Sequence, residues 1–262
     1  SIIFAGGIVM RIIWYECKMD VLRTFRYKMG LVSDLVIYTL LLCFFFWSNT
    51  GQSFQELYGV ENYQALLLLG YVAWTFSVTA ISTIASQLLA ELQRGTLFFK
   101  LHSRLPLQIL YLGDLLSSVL VQTIVVIIYS VVTYFFFGVR YIVTLPIVAA
   151  FLISILGMYG IGLMIAGLSL YYKRIGAVVL LVQLFLLFVT DTIPTSPVIT
   201  EVSSVLPLTM CNTVIRNSFV HKDLGMSFLL LCVVSLLWFV AGYVVFDCFM
   251  KQAKKKGNLL LY

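Results

Sequence analysis

Charge is scarce in this chain. Of its 262 residues, 11% are Asp, Glu, Lys or Arg and 61% are hydrophobic. A soluble domain carries about 25% charged residues, so a water-soluble monomer is excluded. The longest apolar runs hold no ionisable side chain near their centres: Asp34, Asp114 and Asp247 sit towards one end of their runs, and Asp191 towards the end of another. Ionisable groups inside a membrane mark proton relays, ion pathways and voltage sensors. Their absence argues against a proton-coupled transporter, a voltage-gated channel or an ion pump. No acid–base pair, nucleophile triad or metal cluster can be assembled either. The phosphate-cradling pattern GxxxxGK[ST] is missing. Cys17, Cys43, Cys211, Cys232 and Cys248 form no CxxC and no metal-ligand spacing with histidine. Neither a disulfide framework nor a metal site is expected.

What the chain does have is length of apolar run. About 20 residues of helix cross a bilayer, and a hydropathy window predicts six such spans: 31–48, 63–89, 108–137, 142–170, 175–193 and 224–249. The runs are continuous instead of alternating, which excludes a β-barrel. The expected fold is an all-α integral membrane protein. Residues 1–9 read as a start-site extension or appended remnant, 10–29 as an amphipathic interfacial helix, 30–250 as the six-span domain and 251–262 as a basic tail.

Orientation follows from Lys and Arg, which concentrate on the cytoplasmic side of membrane proteins. With the N-terminus inside, only Arg140, Arg216 and Lys222 of the 17 basic residues lie outside. Both termini are therefore expected in the cytoplasm, across the inner membrane of a bacterium. The net charge of +6 then meets anionic lipid headgroups, and nucleic acid is not an expected partner.

Between the second and third spans lies a polar island, residues 90–107, reading AELQRGTLFFKLHSRLPL. Gly95 suits a helix C-cap and Pro106 a helix start. The apolar patch Leu97-Phe98-Phe99 on a charged connection suits a docking site or a segment resting on headgroups. In the fourth predicted span, Gly157, Gly160, Gly162, Ala166 and Gly167 would let another helix approach closely.

The order Glu91, Gly95-Thr96-Leu97, Pro106 resembles the first cytoplasmic loop of the membrane subunits of type-2 ATP-binding-cassette exporters. The resemblance runs from Met10 over the whole chain. It includes the basic segment before the first span, a very short second cytoplasmic loop at Tyr171–Arg174, and Leu206-Pro207 followed by Arg216. It implies two permeases, identical or paralogous, on two ATPase subunits that carry the ATP and magnesium. The island would be a coupling helix, and Glu91, Arg94, Gly95, Thr96, Leu97, Phe98, Tyr171, Lys173 and Arg174 would meet the ATPase. A transporter with no nucleotide loop and no charged relay must borrow its energy, which agrees with that implication.

The resemblance further implies short re-entrant outer helices between spans 5 and 6, with Val198, Val202, Val205 and Leu206 at helical spacing. In residues 10–25, Met10, Trp14, Cys17, Val21 and Phe25 form one apolar stripe, with Glu16, Arg23 and Arg26 opposite. A cargo path between two copies would offer mostly Leu, Val and Phe, with Gln87, Gln183, Thr190 and Asp191 as its polar contacts. Asp191 is expected to mark water, since a carboxylate at depth costs about 2.5–3.5 kcal/mol. Such a path favours a lipidic, drug-like or peptide cargo over a polysaccharide or glycolipid. A non-transporting membrane scaffold is the competing class. A passive channel is disfavoured for want of a filter or charged ring.

Overall fold

The computed structural model describes residues 2–26, 28–48, 52–59, 62–103, 105–141, 143–172, 176–220 and 224–255. Among these residues there are helices and connectors and no strands. Five helices are long and apolar enough to cross a membrane: α2 (Lys28–Trp47), α4 (Tyr63–Arg94), α6 (Leu107–Phe137), α7 (Leu145–Tyr172) and α11 (Gly225–Lys255). Before them runs α1 (Ile2–Arg26) as a single helix, so position 10 is no boundary in the backbone. Three short helices lie in the connections: α3 (Gln52–Tyr58) and α5 (Leu97–Leu101) between long helices, and α9 (Pro197–Ser203) later in the chain. α3 was not anticipated. The remaining elements are α8 (Gly176–Val189) and α10 (Pro207–Phe219).

The expected fifth span is shorter than hydropathy drew it. At 1.5 Å per residue, the 14 residues of α8 cover about 21 Å, against the roughly 30 Å of a hydrocarbon core. The helix stops because Asp191 takes a left-handed conformation (φ 57) and Pro194 follows. α10 makes up depth from the opposite direction. Its Pro207 packs against Gly157, twelve residues and so about 18 Å into α7. α10 is therefore folded back among the long helices, as the resemblance implied, while Val198, Val202 and Val205 on and after α9 are exposed.

α4 stands at the centre. Of its most apolar window, 89% is buried, against 17% in α2 and in α11. Small and hydroxyl residues make that position tenable. Ala73, Thr75, Ser77, Ala80 and Thr83 are buried, and the hydroxyls of Thr75, Ser77 and Thr83 donate to carbonyls of α4 itself. These three hydroxyls are thereby satisfied within the helix and need no partner from lipid or water.

Glycine decides how α7 meets its neighbours. A Cβ on Gly160 would overlap the backbone of Trp238, and one on Gly242 would overlap the backbone of Gly160. Gly162, on another face of α7, lies against Ala80 and Ile81 of α4, where a Cβ would sit 3.0 Å from both carbonyls. The glycines thus form two seams, one to α11 and one to α4. Overpacking costs about 1–3 kcal/mol, so Gly160→Val should lower the unfolding midpoint of the detergent-purified protein by that equivalent. Gly176→Val, at a glycine with open space around it, is the control. An unmoved midpoint for Gly160→Val would mean the two helices do not cross there.

Candidate functional site

The island folds from its own local chemistry. At the end of α4, Gly95 adopts a left-handed conformation (φ 71). Its N–H donates to the Leu92 carbonyl (3.2 Å), and the Thr96 N–H to the Glu91 carbonyl (3.0 Å). That is the paired closure of a glycine-ended helix. α5 begins immediately, and Pro106, extended at ψ 143, starts α6. The connection is a compact turn with α5 at its tip.

α5 presents one side and anchors the other. Phe98 and Phe99 are 58% and 76% exposed, while Leu97 is buried. Lys100 turns back into the bundle. Its ammonium lies 2.7 Å from Glu91 Oε1, 3.6 Å from Glu16 Oε2 and 3.7 Å from Asp114 Oδ2. The Tyr111 hydroxyl donates to Glu91 Oε2 at 2.8 Å, and the ammonium sits 5.1 Å from the Tyr111 ring centroid. Burial pulls the ammonium towards neutrality, but Asp114, the hydrogen bond to Glu91 and then the Glu91 and Glu16 charges outweigh it. The pKa is held above the ordinary 10.5. One cation therefore ties α1, α4 and α6 to α5.

α1 is fixed to the same place. Asp20 is buried and pairs with Arg23 while accepting from Ser117 and from Gln87 Nε2, the last at 2.9 Å. Gly113 of α6 lets the α1 backbone close in, since a Cβ there would stand 2.9 Å from the Ile13 carbonyl. Glu16 and Asp20 thus face the bundle, and Met10, Trp14, Leu22 and Phe25 face out, each at least 44% exposed. Cys17, part of the expected apolar stripe, is buried instead. Burial first, then Asp20 and Asp114, push its thiol above the ordinary pKa, so it is a poor nucleophile.

The opposite end of the bundle carries a second ionic junction. Arg216 of α10 pairs with the Asp191 carboxylate and donates to its carbonyl. The guanidinium carbon lies 4.9 Å from the Phe54 ring centroid of α3. Thr195 donates to Asp191 Oδ1 from its N–H and its hydroxyl, both at 3.1 Å. Asn212 Nδ2 donates to the Thr190 carbonyl at 2.8 Å.

A family model described as ABC-2 type transporter matches residues 9–220. The chain belongs to the ABC-2 type transporter family. No curated protein sequence is significantly similar to it. Membership makes the chain a multi-pass transmembrane component of an ABC-2 transporter, a family whose membrane domains work with an ABC ATPase.

Within this ABC-2 fold, the sequence-predicted residues scatter in an informative way. Glu91 and Leu97 are buried, and Arg94, Gly95, Thr96 and Phe98 are exposed. Glu91 is accordingly a brace for α5 rather than part of an open surface. The Tyr171 side chain, Lys173 and Arg174 lie outside the described residues. Gln87 meets Asp20 at the basic end, whereas Gln183 lies on α8, where its carbonyl accepts from Trp74 Nε1 at 3.0 Å. Thr190 and Asp191 are fully buried. The expectation that Asp191 marks water is corrected: it is fully buried, and its pairing with Arg216 inside the protein offsets the desolvation cost that the expectation rested on. Lys100, Tyr111, Asp114, Glu16 and Asp20 were not singled out as site residues, because their partners come from separate helices. The one signal was a lysine between Phe99 and Leu101, on the helix face opposite the exposed aromatic pair.

Proposed function

We propose that the chain is the transmembrane subunit of an ATP-driven exporter, with α5 as the element that receives ATPase movement. In this reading the basic end, with α1, α5 and both termini, faces the cytoplasm of a bacterium. Two permeases, identical or paralogous, sit on two ATPase subunits, which hold the ATP and magnesium, and the Tyr171–Arg174 turn makes a second contact. The cargo is lipidic, drug-like or peptide, in keeping with the Leu, Val and Phe of α2, α4 and α8.

The observation that supports it is the division of α5 into a braced face and an offered face. Lys100 and Leu97 hold the helix to the spans, and Phe98 and Phe99 project outward. Aromatic side chains, Phe included, are enriched at the cores of protein interfaces, and a rigid support is what lets a push on the aromatics reach α4 and α6. Phe98→Asp/Phe99→Asp should reduce the ATPase recovered with the tagged chain by about tenfold or more. Membrane insertion and unfolding midpoint should stay unchanged, because neither ring supports the core. Undiminished recovery would remove α5 as the docking element.

A further inference from the structure

A cavity of about 460 Å³ lies between α1, α2, α4 and α6 at the basic end, within the range of small-ligand sites. It opens beside Ser86, Asp34 and Arg94, which are exposed. Its α4 wall carries Thr79, Ser82, Thr83 and Ser86. Each of these hydroxyls already donates to a carbonyl of α4. Their remaining capacity towards the cavity is to accept hydrogen bonds.

The charges around it are unequally committed. Arg23 pairs with Asp20, and Asp20 also takes hydrogen bonds from Gln87 and Ser117. Asp34, by contrast, has no ion-pair partner among the described residues. Deeper in, Gln122 is 94% buried, since its relative exposure is 6%. Gln122 also lines the cavity, and its amide nitrogen has no hydrogen-bond partner among the described residues. A buried amide donor left open is costly, so a group with an acceptor belongs beside it. Tyr38, Val121 and Val125 supply an aromatic and apolar lining.

We propose that this cavity binds the ammonium head of an amphiphile. Asp34 is its counter-ion, the α4 hydroxyls accept from it, and Gln122 donates to an acceptor beside it. The Tyr38 ring adds a face on which a cation is favoured. A phosphate or sulfate head alone is a poor match, because the α4 wall offers lone pairs, Asp34 repels it and Arg23 is already engaged, which leaves the exposed Arg94 at the mouth as the cation to receive it. The ammonium can belong to a bilayer aminophospholipid or to a free cationic amphiphile. As a cargo site the cavity rests on the exporter reading; as a binding site it does not.

The test uses the full chain, with the ATPase that co-purifies, in nanodiscs of phosphatidylcholine and phosphatidylglycerol. Ser86→Cys is introduced together with Cys248→Ser, and maleimide modification at position 86 is followed by peptide mapping. Dodecylamine should slow that modification by about tenfold, whereas dodecanol or dodecyl sulfate at the same mole fraction should not. Asp34→Asn should abolish the protection. Equal slowing by dodecanol, or protection that survives Asp34→Asn, overturns the proposal. Replacing phosphatidylcholine by phosphatidylethanolamine without dodecylamine identifies the source: protection means a membrane lipid, no protection a free amphiphile. Absence of protection by dodecylamine, with ATPase recovery still dependent on Phe98 and Phe99, removes the ammonium site and leaves the exporter reading. Protection with ATPase recovery independent of α5 keeps the site and removes that reading of α5.

Discussion

Arg216→Ala should destabilise the folded subunit by about 3–5 kcal/mol, the cost of removing one partner from a buried ion pair. The reason is what stays behind. Asp191 has no exposed surface, and without Arg216 its carboxylate loses the guanidinium that pairs with it, while the Thr195 N–H and hydroxyl remain. Neutral donors such as these do not replace a cation beside a buried carboxylate. Phe54 would also lose the guanidinium stacked on it, loosening α3 from α10. The partner substitution tests the same junction from the other side. Asn tolerates the left-handed backbone that position 191 requires and can still accept from Thr195, so Asp191→Asn isolates the loss of charge. The double variant Asp191→Asn/Arg216→Met should be less damaging than the sum of the two single variants, because no uncompensated charge remains. Denaturant titration in detergent reads all three. If both single variants shift stability by less than about 1 kcal/mol, in the range of exposed pairs, the junction is solvated and the account of how α8 ends is wrong.

That junction also shows where sequence reading stops. The long spans were legible because hydropathy over about 20 residues is a local property, and α2, α4, α6, α7 and α11 begin and end close to where it placed them. Gly95 and the turn after α4 were legible for the same reason, since a glycine-ended helix followed by a proline-started one is written in adjacent residues. The end of α8 was not. Hydropathy runs on through Thr190, Asp191 and Thr192, and the polar groups that stop the helix are satisfied by Asn212 and Arg216 on α10. A partner about 20 residues away in sequence carries no periodic signal.

The N-terminal helix shows a different limit. Its apolar stripe was visible, yet in a soluble protein such a stripe packs inward. Here the inward face carries Glu16, Asp20 and Cys17, and most of the aromatic and apolar side chains point out. A surrounding apolar phase reverses which face needs covering. The acidic residues turn in because Lys100, Gln87 and Ser117 are there to receive them, and those partners lie on α4, α5 and α6.

Lys100→Met should therefore do more than remove a surface charge. The 2.7 Å bond to Glu91 is of the charged type worth about 1.5–3 kcal/mol, and its loss would leave Glu91, Glu16 and Asp114 facing one another without a cation. α5 should detach from α4 and α6 while the spans remain inserted, since no core residue is touched. The functional signature should be uncoupling: ATPase still recovered with the chain through Phe98 and Phe99, but its turnover no longer changed by cargo. This separates Lys100→Met from Phe98→Asp/Phe99→Asp, in which the ATPase itself is lost. Charge exchange gives the sharper test. Glu91→Lys alone places two ammonium groups together and should uncouple as severely, whereas Glu91→Lys/Lys100→Glu restores an opposite pair and should recover part of the coupling. The pH dependence has a definite sign. Because the folded-state pKa of Lys100 is raised, its contribution is complete below the ordinary value of 10.5 and is lost only as pH rises through the higher folded value. Between pH 6 and about 9 the difference in stability between the native chain and Lys100→Met should not fade through deprotonation of Lys100. A difference that vanished in that range, or a Lys100→Met chain whose ATPase still answered to cargo, would show that this lysine does not hold α5 in its proposed coupling role.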